Sequence, residues 1–188
     1  MKEIFEYIQS DYFRYYGKKA SIWKLCLTAF LAKNHCFTYS FWMRMASIKN
    51  KSIIIKKIAS RKSFHLSIKY GIQIPPSTSI GYGLYIGHGV GIVINPKTII
   101  GNNCNISQFI TIGSNHDTPA TIGDNVYIGP SVCIVEDVKI GNNVTIGAGA
   151  VVVKDIPENA TVAGVPAKVI SEKEPGRYIG NRYNHCNP

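Results

Sequence analysis

Two of the five histidines, His88 and His116, lie in segments that interrupt an otherwise regular pattern: GHGVGIVINP at 87–96 and GSNHDTPA at 113–120. An imidazole titrates near neutral pH, so each is a candidate general base for taking the proton of an attacking hydroxyl. Gly87 and Gly89 flank His88, leaving room for a substrate beside the ring and for backbone amides to face a developing oxyanion. Spacing argues against other chemistries. His88 and His116 stand 28 residues apart with no His-x4-His pair, and the five cysteines (26, 36, 104, 133, 186) include no CxxC, so no metal site is expected. The glycine pairs 81/83 and 147/149 echo a dinucleotide fingerprint but lack its strand–turn–helix setting. An odd number of cysteines without a disulfide framework fits a reducing, cytoplasmic compartment.

The interrupted pattern is a hexad repeat. Ile recurs at 68, 74, 80, 86 and 92, slips by two, and resumes at 94, 100, 106 and 112. After a ten-residue step it continues at 122, 128, 134, 140 and 146, and then Val152. Neither a helical period nor simple alternation explains this spacing. A period of six predicts a three-sided solenoid, each face one short strand and a turn, with a coil of about 18 residues. The aliphatic residue points inward and stacks on its counterparts, each burial stabilising by about 1.5–3 kcal/mol. Gly101-Asn102-Asn103, Gly123-Asp124-Asn125 and Gly141-Asn142-Asn143 are expected to form the tight corner turns. Regular hexads hold structure, so chemistry is expected at the two interruptions and at the exit after Val153.

Charge is partitioned unevenly. Residues 1–67 hold 13 Lys/Arg against Glu3, Glu6 and Asp11, whereas residues 68–188 hold eight of each sign. The basic third matches no nucleic-acid reader motif, so no nucleic-acid partner is expected. Its mixture of Lys/Arg with aromatics suits peripheral contact with an anionic membrane face, with Phe37, Tyr39, Phe41 and Trp42 beside Lys33 and Arg44 as the lipid-facing set. The competing expectation is a helical cap whose apolar face packs internally. No apolar run approaches the roughly 18 residues of a membrane span, and the N-terminus lacks a signal-peptide core.

The hexads resemble those of the hexapeptide-repeat acyltransferases, over roughly residues 68–170. Within that family GYGLYIGHGVGIVINPKTIIGNNCNISQFITIG is similar to the serine acetyltransferase branch, and IGAGAVVVKDIPENATVAGVPAKVI to the acyl-coenzyme A end of the whole family. The resemblance implies a mainly β chain: a left-handed parallel β-helix preceded by a small α-helical N-terminal region. The expected organisation is 1–67 basic and mostly helical, 68–170 the β-helix, and 171–188 a polar tail. It further implies an acetyl-CoA-dependent O-acetyltransferase, a homotrimer with the acyl donor in a cleft between neighbouring prisms. His88 would be the general base and His116 a second catalytic or acceptor-contacting group. Gly129, Ala148, Lys154 and Lys168 would meet coenzyme A, and Asp117, Asn95 and Gln108 the acceptor.

Departures from the branch concern the acceptor. Its Asp-Ile-His-Pro segment, whose Asp orients the base, reads Gln73-Ile74-Pro75-Pro76; the Asp before the catalytic His is Gly87; and a Glu after GIV becomes Pro96. Loss of carboxylates that could face an amino-acid ammonium makes a sugar hydroxyl, of a surface polysaccharide or its precursor, the expected acceptor. Serine is the alternative, and a non-catalytic scaffold a third.

Overall fold

The computed structural model describes residues 2–48, 53–116 and 118–184. Four helices come first: α1 (Lys2–Tyr16), α2 (Ile22–Leu31), α3 (His35–Ala46) and α4 (Ile53–Tyr70). Strands β1 (Ile72–Gln73), β2 (Ser79–Ile80) and β3 (Tyr85–Ile86) then form the first coil, one on each of three faces. Face A continues through β4 (Ile92–Ile94), β7 (Thr111–Gly113), β10 (Cys133–Val135) and β13 (Val151–Val152). Face B continues through β5 (Ile99–Ile100), β8 (Thr121–Ile122) and β11 (Lys139–Ile140). Face C continues through β6 (Asn105–Ile106), β9 (Tyr127–Ile128), β12 (Thr145–Ile146) and β14 (Thr161–Ala163), and β15 (Lys168–Ser171) pairs antiparallel with β14. Coil-to-coil pairing is parallel, and stacks Ile86 on Ile106, Ile128 and Ile146. The spacing between stacked residues is 18 from Ile128 to Ile146. The interruptions stretch it to 20 from Ile86 to Ile106 and 22 from Ile106 to Ile128.

The hexad isoleucines fill only part of the interior. Side chains alternate along a strand, so the residue two before each also points inward. Ile110, Ala120, Val126, Val138, Val144 and Ala150 form these second columns, all buried. Val132 belongs with them at 0% exposure, whereas Val90 and Phe109 face outward. Ile68 is no hexad either. It is exposed on α4, which runs on to Tyr70 and stops at Gly71 (φ +65), so the solenoid begins at Ile72. At the corners the left-handed residue is the asparagine two after each glycine: Asn103, Asn125 and Asn143, at φ 54, 55 and 58. These asparagines form a ladder, Asn125 donating to Asn143 and Asn143 to Asn159, each at 3.0 Å. Gly101 is needed for closeness instead, because a Cβ there would lie 2.6 Å from the Gly123 carbonyl oxygen.

The first coil has no coil beneath it, and α1 and α3 supply the partners its backbone would lack. The Tyr39 hydroxyl donates to Ile74 O (3.0 Å) and accepts from Ile74 N (3.1 Å). Tyr15 treats Ile86 the same way, both at 3.0 Å. Burial pushes the Tyr39 hydroxyl pKa up to about 12, so it stays a donor. Arg44 donates to Ile80 O and Gly81 O at 2.7 Å each and forms a two-point ion pair with Asp11, both contacts at 3.0 Å. Asp11 accepts from Leu84 N (2.8 Å), Ser10 from Gly83 N (2.8 Å), and Arg14 donates to Gly83 O (2.7 Å). Burial lowers the Arg14 pKa to about 10, leaving the guanidinium charged at neutral pH. Phe37, Tyr39, Phe41, Trp42 and Arg44 are therefore buried, which overturns their expected place at a lipid surface. The physical reason is that α3 is enclosed by α1, α2, α4 and the solenoid, so its aromatics fill the join.

The segment after 170 is not a free tail over its described part. Tyr183 and Ile179 are buried, Tyr183 N donates to Asn103 Oδ1 (2.8 Å), and Arg14 Nε donates to Gly180 O (3.0 Å).

Candidate active site

His88 sits in the turn from β3 to β4, at the edge where face C passes into face A. The turn is tight, with Val90 N donating to His88 O at 2.9 Å. The turn rests on the start of α3, capped by Asn34, whose side chain accepts from Phe37 N. There the buried Cys36 Sγ accepts from Gly89 N (3.2 Å) and donates to Gly87 O (3.6 Å). Burial raises the Cys36 pKa, which keeps the thiol protonated for that donation. A Cβ at Gly89 would fall 2.8 Å from Ile72 Cδ1 and 3.1 Å from Cys36 Sγ, so a larger residue would have to push those side-chain ends aside. The imidazole itself is exposed, and among the described residues no hydrogen bond reaches its ring.

Register shows what lies above it. Phe109 N donates to Val90 O, Ser131 N to Gln108 O and Gly149 N to Pro130 O, so the column up this edge is Val90, Gln108, Pro130, Ala148, with His88 in the two-residue insertion at its foot. Ala148 is three coils up, about 14 Å at the usual 4.7–4.9 Å between strands. The strip is lined by small groups. Gly129 tucks under the next coil, where a Cβ would lie 2.7 Å from Ile146 O. Ala148 is exposed, and a Cβ at Gly149 would meet nothing within 4 Å. Lys168 pairs with Ala163 at the top of face C, and a Cβ on Gly147, directly below, would lie 3.2 Å from the Ala163 Cβ. His88, Gln108, Gly129, Ala148 and Lys168 thus share one edge of the prism.

The remaining expected residues lie elsewhere. His116 follows β7, at the edge between faces A and B, with Asn95 one coil below it by the pairing of Ile94 with Ile112. Lys154 is one coil above Glu136 on the same edge, by the pairing of Ile134 with Val152. Asn95 Oδ1 accepts from Lys97 N (2.9 Å), which shapes the turn. Asp117 lies outside the described residues. The loop carrying His116 is held by a residue the sequence reading passed over: Glu136 accepts from the Ser114 hydroxyl (2.8 Å) and the Asn115 amide (3.3 Å). The Ser114 and Asn115 hydrogen bonds hold the Glu136 carboxyl below the usual carboxylate range. Ser114 also bonds the His116 carbonyl. Phe109 is more than a surface aromatic. It adopts φ 57, uncommon for a bulky residue, and its ring lies against Gly91, where a Cβ would be 2.5 Å from Phe109 Cδ1. Its sequence signal was an aromatic at a corner where later coils carry Ser131 and Gly149.

Residues 119–154 match the family model described as bacterial transferase hexapeptide (six repeats). A serine acetyltransferase of Staphylococcus epidermidis is 36% identical over 143 residues, which are 74% of this chain and 65% of that relative. The chain thus spans about two thirds of the length of the curated relatives it matches. The crystal structure of Neisseria gonorrhoeae serine acetyltransferase in complex with serine superposes with a TM-score of 0.73 at 30% identity, covering 90% of this chain and 70% of that one. A serine acetyltransferase in complex with CoA gives 0.71 at 26% identity, with the same coverage. The parallel solenoid with its helical preface has the left-handed β-helix architecture of these proteins, and the chain belongs to the hexapeptide-repeat acyltransferases, in their serine acetyltransferase-like branch.

Proposed function

We propose that the protein is an acetyl-CoA-dependent O-acetyltransferase with L-serine as acceptor. The observation that carries the reading is the edge that rises from an exposed His88 between two glycines to a strip of small residues ending at Lys168. That strip fits an extended acyl-donor arm, and a lysine beyond it fits an anionic phosphate. His88 takes the acceptor hydroxyl proton as the oxygen attacks the thioester carbonyl carbon. The amides of Gly87, Gly89 and Val90 already donate to Ile106 O, Cys36 Sγ and His88 O, so the oxyanion contact expected from the glycines flanking His88 does not come from these three. His88 then returns the proton to the departing sulfur, leaving an O-acetyl ester and free thiol. Serine is preferred over the sugar acceptor expected from sequence because the relatives at 30–36% identity are serine acetyltransferases.

One observation keeps a second reading, a saccharide hydroxyl. Gln73, Gly87 and Pro96 put neutral groups where the branch carries carboxylates or their partner. Thiol release measured with L-serine and with oligosaccharide acceptors separates the two. Serine is expected to raise turnover above acetyl-CoA hydrolysis in a saturable way. Turnover with a saccharide and none with serine would replace the first reading by the second.

A homotrimer belongs to the same proposal. His88 and His116 occupy different edges of one prism with face A between them, so a site using both draws the second from a neighbouring copy. Sedimentation equilibrium is expected to give three times the 20.8-kDa chain. A stable monomer at micromolar concentration would leave the site half built.

A further inference from the structure

The helical region presents apolar surface that the solenoid does not use. On α2, Leu25 and Ala29 are buried, while Trp23, Leu27 and Phe30 follow one another at helical spacing on the outside, Trp23 at 84% exposure. On α4, only Ala59 and Ser63 are buried; opposite them Ile54, Ile58 and Ile68 form one stripe, Ile54 at 71% exposure. Spacings of four, three, four and three residues from Ile54 place Arg61 and His65 on the same stripe. Lys57 and Lys62 are exposed beside it, and Arg61 is exposed within it.

The sign of the charge selects the occupant. No Asp or Glu occurs anywhere between Asp11 and Asp117, so neither helix carries a carboxylate to offset its cations. A second copy docked through the same face would set lysines against lysines without an acid between them. An anionic bilayer surface meets both properties at once, taking the isoleucines and the tryptophan into its headgroup boundary and the cations at its phosphates. Among the described residues no helix is long and apolar enough to cross a membrane. Lying flat remains the available mode. An 18-residue helix such as α4 offers about 27 Å of contact at 1.5 Å per residue.

We propose that the outer faces of α2 and α4 are a peripheral docking surface for anionic lipid bilayers, with Trp23, Phe30, Ile54, Ile58 and Ile68 inserted and Lys57, Arg61 and Lys62 on the phosphates. This surface is independent of the acceptor chosen by the enzyme, and its test requires no catalysis. The full chain is mixed with vesicles of phosphatidylcholine alone or with half phosphatidylglycerol, and followed by co-sedimentation and tryptophan emission. The chain has two tryptophans, and Trp42 is buried, so the emission change reports on Trp23.

Association with the anionic vesicles is expected at low salt, with a blue shift and with quenching by brominated lipid tails. Partitioning is expected to fall by on the order of tenfold or more as the Debye length shrinks from about 10 Å at 0.1 M to about 3 Å at 1 M. The exposed triple variant Lys57→Glu, Arg61→Glu, Lys62→Glu should lose on the order of a hundredfold while its circular dichroism and melting match the parent. Four results overturn the proposal. One is no association with anionic vesicles at low salt. Another is equal association with neutral vesicles. A third is indifference to the triple substitution. The fourth is a lipid-free assembly of doubled mass that Trp23→Ala with Phe30→Ala splits, which would give the face to a second copy. The salt series and the quenching on the parent chain stand without any variant.

Discussion

His88→Ala is expected to fold as the parent does and to lose acetyl transfer by about 10² to 10⁴-fold, the usual worth of a general base. Folding should be spared because the ring is exposed and receives no hydrogen bond among the described residues. The turn beneath it is fixed by other groups, namely the Cys36 thiol on Gly87 and Gly89 and the Val90 to His88 backbone bond. Coenzyme A affinity should change little, since the base meets the acceptor hydroxyl and the thioester rather than the phosphates. Isothermal titration with coenzyme A beside steady-state kinetics checks both halves of the statement. A variant keeping more than about half of the parent turnover would remove His88 from the mechanism. Loss of coenzyme A binding in parallel with turnover would make the histidine a wall of the donor site.

The second large effect is on stability. Asp11→Ala should cost about 3–5 kcal/mol, the range found when one partner of a buried ion pair is deleted. Arg44 has a side-chain exposure of 6% and Asp11 of 0%, so the orphaned guanidinium would have little water to replace its partner. Leu84 N loses its acceptor in the same substitution. Set against a total of about 5–15 kcal/mol for a folded domain, this is a large fraction. Urea unfolding of the parent, Asp11→Ala, Arg44→Ala and the double variant measures it. The double variant should cost less than the two singles summed, because neither charge is then left alone. It should still cost more than nothing, since the Ile80 and Gly81 carbonyls lose their donor. A single-variant cost below about 1 kcal/mol would mean that water reaches the join.

Both expectations rest on features that differ in how openly the sequence declares them. The hexad isoleucines are visible as a period because each coil contacts only the coils next to it, so structural repetition is written directly as sequence repetition. The same logic exposes the two interruptions, and with them His88 and His116, since an insertion in a strict period is conspicuous wherever it falls. The second inner column was less legible. Ala120, Val126, Val132, Val138, Val144 and Ala150 also recur every six residues, but small and variable side chains hide the period.

What no period encodes is the placement of the helices. Arg14 meets Gly83 across 69 residues of chain and Tyr15 meets Ile86 across 71, contacts that leave no local trace at either end. From composition alone the aromatics of α3 and those of α2 look equally suited to a surface. Enclosure of α3 between the other helices and the solenoid buries one set, and leaves Trp23 and Phe30 outside. Cys36 became part of the catalytic turn's support only because the start of α3 abuts that turn. The repeat alone was enough for the solenoid, its columns of isoleucine and the two histidines. Only the tertiary structure decided that those histidines stand on different edges of the prism, because an edge is set by the count of residues around a closed coil, and each inserted loop resets that count.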